Sequence, residues 1–106
     1  MIITTTETIP GKKIVRAVGL ARGNTIRARH IGRDILALFR NIVGGEIYDY
    51  TKLLGEAREQ SLDRMCAEGQ RLGANAIVCV RFSTSVLMGG AAELLAYGTA
   101  VVVEDE

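Results

Sequence analysis

Apolar positions along this chain recur with a period of two in some stretches and near 3.6 in others, and each switch of period marks an element. Ile2 to Thr5 is a short β-branched run, closed by Pro10-Gly11. Ile14 to Ala21 alternates, with Ile14, Arg16, Val18 and Leu20 on one face and the small residues Val15, Ala17, Gly19 and Ala21 on the other. Gly23-Asn24 reads as the turn that closes this strand. From Ile31, the positions Ile31, Ile35, Leu38, Phe39 and Ile42 predict a short helix stopped by Gly44-Gly45. Tyr50 to Leu72 predicts a long one. Its stripe is Tyr50, Leu54, Ala57, Ser61, Met65 and Leu72, flanked by Leu62 and Gly69, with Lys52, Glu56, Glu59, Asp63 and Gln70 opposite and Gly73 as the stop. Two more strands follow. Ala76 to Phe82 sets Ala76, Val78, Val80 and Phe82 against Ile77 and Cys79, and Glu93 to Val103 sets Leu95, Tyr97, Thr99, Val101 and Val103 against a smaller face.

The order of elements is strand, short helix, long helix, strand, strand. The connection of about ten residues between the last two strands is too short for a parallel crossover, so they pair as an antiparallel hairpin. With the first long strand beside the last, the long helix packs on the small face of Ala17, Gly19, Ala96, Gly98 and Ala100. Ile14, Val18, Leu20, Leu95, Tyr97, Val101 and Val103 are left on the far side. Six such side chains in water forgo roughly 10–15 kcal/mol, at about 1.5–3 kcal/mol each. A whole domain is stable by about 5–15 kcal/mol. The pattern therefore predicts an α/β protomer that associates with copies of itself. The alternative is that the short helix covers that surface.

Composition narrows the class. The chain of 106 residues fits one domain, residues 1–106, and 48% apolar with 24% charged residues is ordinary for a globular protein. A net charge of +1 gives no global reason for nucleic acid or anionic lipid as a partner. No apolar run approaches the roughly 18–20 residues of a bilayer span, and the N-terminus lacks the basic and apolar regions of a signal peptide. The expectation is a cytoplasmic protein, in which Cys66 and Cys79 are free thiols.

Several segments together resemble one family. They are Met1-Ile-Ile-Thr-Thr-Thr-Glu-Thr-Ile-Pro-Gly11, Arg33-Asp34 leading to Arg40-Asn-Ile-Val-Gly-Gly45, Glu56-Ala-Arg-Glu-Gln60, Leu72-Gly-Ala-Asn-Ala-Ile-Val78 and Gly98-Thr-Ala-Val-Val102. In this order, over essentially the whole chain, they resemble the YbjQ-like family, small bacterial and archaeal proteins of unassigned function that sometimes carry a heavy-metal-binding label. The resemblance implies an α+β, two-layer, dodecin-like β-α-β-β subunit. Its antiparallel sheet would have order 1-3-2, packed by the long helix, with an extra short N-terminal strand that helps assemble a homopentameric ring. It brings no established catalytic residues that map onto this chain.

The metal label is weighed on the ligands present. His30, Cys66 and Cys79 sit on three different elements, without the paired spacing of a structural zinc site, and the thiols read more simply as small core residues. Glu56, Glu59 and Asp63 form a carboxylate row that suits a hard cation, or a solvated helix face. Arg22, Arg27, Arg29, His30 and Arg33 form a basic stretch, suited to an anion or to those carboxylates on a neighbouring subunit; the second reading is favoured. Arg58 and Glu68 project beside the apolar stripe and need partners if buried, which points to a structural ion pair. A lone histidine with no nucleophile beside it gives no triad, and Ser83, Thr84 and Ser85 read as loop residues. The Gly-Gly pairs match no phosphate-binding loop, and no nucleic-acid motif is present. The expected function is a non-enzymatic homo-oligomeric ring that takes up a small ligand or ion, with metal handling at subunit contacts as the alternative.

Overall fold

The computed structural model describes residues 1–27, 48–86 and 92–106, with side chains for 1–26, 54–85 and 93–106. The short helix expected from Ile31, and the pairs Gly44-Gly45 and Gly89-Gly90, lie outside the described residues. The elements are β1 (Ile2–Ile3), β2 (Lys12–Arg27), α1 (Tyr48–Arg71), β3 (Ala76–Val86) and β4 (Ala92–Asp105). The fold is α+β, a four-stranded sheet with α1 across one face. No helix among the described residues is long and apolar enough to cross a membrane.

The sheet order is β1-β3-β4-β2, which corrects the expected three-stranded 1-3-2 antiparallel sheet. β4 pairs antiparallel with β2 and β3, as the hairpin argument required. The N-terminal strand joins the same sheet parallel to β3, making it mixed. Its rungs run from Ile2 N–H to Asn75 O and from Thr4 N–H to Ile77 O, then return from Val80 and Cys79 N–H to Thr4 and Thr6 O. The turn after it follows from its residues. Pro10 supplies the fixed φ of the second turn position, Gly11 the φ of +80° at the third, and Lys12 N–H closes on Ile9 O at 3.0 Å, a type II turn.

α1 ends as Gly73 predicts. Gly73 takes φ +90°, its N–H bonds Gln70 O and the N–H of Ala74 bonds Gly69 O, both at 3.0 Å. That is the two-bond Schellman closure, which satisfies carbonyls the last turn would leave open.

Three irregularities redistribute the faces. Register shifts occur in β2 between Ile14 and Arg16 and between Ala17 and Gly19, and in β3 between Val78 and Arg81. Each adds a residue to one strand and inverts the alternation beyond it. In β3 the inserted stretch holds Cys79 at φ +57°, so Ile77 and Val80 both reach the helix side while Val78 stays on the other. The helix-side core is Ala21, Met65, Ala74, Ile77, Val80, Ala96 and Ala100, with Val18, Leu62, Cys66 and Leu72 against it. Ala76, Val78, Val101 and Val103 form a second cluster, with Ile9 and Cys79 against it. Val101 and Val103, expected to await a neighbour, are thus buried within the chain, and Val18 lies with the helix-side core. The uncovered apolar surface is smaller than the alternation implied.

Two further boundaries move. Gly23-Asn24 is not a turn, because β2 runs through it to Arg27. Ser83, Thr84 and Ser85 are not loop residues but rungs of β3, opposite Leu95, Leu94 and Glu93.

Candidate functional site: a cleft between the helix and the third strand

The position of α1 is set by small residues. A Cβ on Gly23 would lie 2.3 Å from Met65 N and 2.4 Å from Ser61 O, so the strand and helix backbones meet there. Ala57, Ser61, Met65 and Gly69, four residues apart, form the buried stripe of α1. Ser61 Oγ lies 2.9 Å from Leu94 O and 3.0 Å from Thr25 Oγ1, an internal polar link among α1, β2 and β4. With one proton, the serine hydroxyl donates to one of these oxygens at a time.

Anchored over β2 and β4, the helix leaves the distal half of β3 uncovered. Phe82 lies opposite Ala96 and is 45% exposed despite its size. Between it and α1 opens a cleft of about 840 Å³, lined by Gly55, Glu56, Arg58, Glu59, Gln60, Leu62, Asp63 and Phe82. Glu56, Glu59 and Asp63, at i, i+3 and i+7, therefore do not crown a featureless solvated face. They rim a recess whose floor includes Leu62 and Phe82, with Arg58 among them. Sequence reading found the row but missed the recess, because no local pattern says where a helix lies laterally on a sheet.

On the opposite flank Arg22, Asn24, Glu68, Glu93 and Leu95 line a hollow of about 410 Å³. Asn24 Nδ2 donates to Glu93 Oε2 at 3.2 Å, and Arg64 Nη1 reaches the Asn24 carbonyl at 2.6 Å. Glu68 needs no partner from another subunit. Arg71, one turn on, holds it with two hydrogen bonds of 2.8 and 3.0 Å. These bonds, more than the charges of Arg71 and Arg22, hold its carboxyl below the ordinary range.

The thiols do not converge. Cys66 packs against the helix-side core and Cys79 against the cluster on the other face of the sheet. Burial, then the charge of Asp63, raises the Cys66 thiol above its ordinary value. Among the described residues no three His, Cys, Asp or Glu side chains are grouped to hold a metal ion. His30 lies outside the described residues, as do Arg29 and Arg33, while Arg22 lies exposed on β2.

Comparison with known proteins agrees along the whole chain. Residues 1–104 match the family described as "putative heavy-metal-binding". A UPF0145 protein of Dehalococcoides mccartyi strain 195 is 61% identical over 104 residues, 98% of this chain and all of that protein. UPF0145 proteins of Pyrococcus furiosus and Methanosarcina acetivorans are 58% and 54% identical, over 100% and 97% of this chain and 93% and 97% of their own lengths. Among solved structures, a protein of unknown function of the DUF74 family from Pediococcus pentosaceus shares the fold. Its TM-score is 0.68 over 98% of both chains, at 13% identity. With a match spanning residues 1–104 and relatives this similar over their full length, the chain belongs to the YbjQ family of UPF0145 proteins.

Proposed function

We propose that this protein works as a non-enzymatic, cytoplasmic homo-oligomer, a closed ring whose number, five, follows from the family resemblance. The observation that carries this reading is the free edge of the sheet. β2, sixteen residues long, ends the strand order, and its outer edge pairs with no strand among the described residues. Among the described residues Arg64 caps the carbonyl of Asn24, while Leu20 and Ile26 stand 55% and 52% exposed on the same strand. A long edge with exposed apolar side chains is a surface that proteins pair or cover. The radius of gyration of 17.2 Å, against about 13 Å for a compact domain of this length, suits a slab built to pack with others. Light scattering on untagged protein at micromolar concentration tests the reading: the expected mass is five times the 11.4 kDa of one chain. A folded particle of one chain's mass at all concentrations would refute it.

A second reading comes from the family description, which points to heavy metals. The described residues of one chain do not fit such an ion, since the two thiols lie on opposite faces of the sheet. Carboxylates such as Glu56, Glu59 and Asp63 suit hard cations rather than soft ones. On this reading the ion is held where chains meet. Metal analysis of protein purified without chelator or affinity tag decides: stoichiometric metal lost in a Cys66→Ser/Cys79→Ser/His30→Ala variant supports it, and metal-free protein counts against it.

A further inference from the structure

The cleft between α1 and β3 joins an apolar floor to an acidic rim that the chain does not neutralise along its whole length. Phe82 of β3 is 45% exposed and shares the cleft with Leu62 of α1. On the rim, Arg58 folds back along the helix, with its Nη2 3.8 Å from where a Cβ on Gly55 would stand. Its charge therefore lies at the N-terminal end of the row, where it offsets Glu56. Glu59 and Asp63 follow toward the C-terminal end, with Leu62 between them in the sequence. At i and i+4 they are neighbours, about 6 Å apart along the axis at 1.5 Å per residue, and like charges at that spacing repel. The ion pairs among the described residues join Lys12 to Asp105 and Arg71 to Glu68, and neither Glu59 nor Asp63 takes part in one.

The chemistry of an occupant follows from this pairing of floor and rim. It carries positive charge for the carboxylates and apolar surface for Leu62 and Phe82. A point charge does not fit. Among the described residues no three acidic, histidine or cysteine side chains are grouped to hold a metal ion, so the negative charge is spread along the helix rather than focused. From this complementarity we infer that the cleft binds an extended aliphatic polycation, a linear diamine or triamine. Two ammonium groups separated by four methylenes match the step from Glu59 to Asp63. The methylenes lie on Leu62 and Phe82, and the face of the Phe82 ring also attracts an ammonium. The cleft, about 840 Å³, falls within the roughly 300–1,000 Å³ of small-molecule sites. The inference goes beyond self-association and does not depend on it, because the ligand is counted per chain.

The probe is labelled spermidine, taken up by the full, untagged chain in equilibrium dialysis at low ionic strength. The expected result is one triamine per chain with a midpoint below about 1 mM, weakening as salt rises. Glu59→Gln/Asp63→Asn should raise the midpoint by roughly tenfold or more, and Phe82→Ala by about threefold. Glu7→Gln/Glu104→Gln removes two exposed carboxylates outside the cleft and should leave it unchanged. Butylamine, with one ammonium, should compete at least about tenfold more weakly than unlabelled spermidine, and magnesium at equal ionic strength should not displace the triamine. Circular dichroism melts verify that each variant is folded. Uptake that survives either cleft variant, or that falls equally in the control, overturns the inference, as does displacement by magnesium or equal competition by butylamine. A wild type that assembles in light scattering but takes up no triamine overturns this inference and leaves self-association standing. A monomer that takes it up defeats the ring alone.

Discussion

Asn75 acts toward Val103 as one more rung of the sheet. Its Nδ2 donates to the Val103 carbonyl at 2.9 Å, and the Val103 N–H donates to its Oδ1 at 2.8 Å. β3 begins only at Ala76, so the side chain extends the ladder past the strand's own start and closes the end of β4. Asn75→Ala should cost about 1–2 kcal/mol, since each net hydrogen bond is worth about 0.5–1.5 kcal/mol and water replaces part of the loss. Urea unfolding measures the cost. Amide exchange at Val103 should quicken in the variant, and unchanged exchange there would contradict the assigned role.

Gly23 is where the strand and helix backbones meet. A Cβ there would meet Met65 N at 2.3 Å and Ser61 O at 2.4 Å, main-chain atoms that no rotamer change moves aside. Overpacking typically costs about 1–3 kcal/mol, and a clash with two backbone atoms belongs at or above the top of that range. Gly11 is the control. A Cβ on it meets nothing within 4 Å, but its φ of +80° disfavours other residues, so Gly11→Ala should cost only about 1 kcal/mol. Thermal melts of the two variants should rank Gly23→Ala well below Gly11→Ala. Equal melting would mean that the helix does not rest on Gly23.

These two glycines mark how far the sequence could be read. The turn at Pro10-Gly11, the helix stop at Gly73, the buried stripe through Ser61 and Met65 and the terminal hairpin all declare themselves locally, because each rests on residues within one turn or one strand. Gly23 looked like a turn for the same local reason, yet its use is tertiary. The bulges escaped because one added residue inverts a face without altering composition, and the β3 bulge holds a cysteine at positive φ, where glycine is the usual signal. That hid the move of Val80 from the face of Val78 to the face of Ile77. The carboxylates Glu56, Glu59 and Asp63 were visible as a row. Their recess required knowing that α1 lies over β2 and β4, leaving Phe82 bare.

Ser61 and Thr25 are buried polar residues joined at 3.0 Å beneath the helix. Ser61→Ala leaves Thr25 without that partner and removes one donor from Leu94 O, at an expected cost of about 1–3 kcal/mol. Thr25→Val removes the other hydroxyl at similar volume. Because the two share one link, the double variant should cost less than the sum of the singles, by about 0.5 kcal/mol or more. Strict additivity in a double-mutant cycle of urea midpoints would show that the hydroxyls do not interact.

The Cys66 thiol is held above its ordinary pKa of 9.0 by burial first and by the carboxylate of Asp63 second. A thiol so held is mostly protonated at neutral pH, and the protonated form is the poor nucleophile. Iodoacetamide should therefore modify Cys66 in the folded chain more slowly than in the urea-unfolded chain at pH 7.5, and Asp63→Asn should speed the folded reaction. The same shift enters stability. With its folded pKa above the unfolded one, the native state binds more protons in the alkaline range, so stability falls as pH rises there. The contribution of this thiol is complete below the unfolded value and is lost as pH climbs through the raised one. Urea midpoints between pH 7 and pH 10 should fall more gently in Cys66→Ala than in the wild type. Parallel slopes, or a folded-state alkylation rate equal to that of the unfolded chain, would show that neither burial nor Asp63 governs this group.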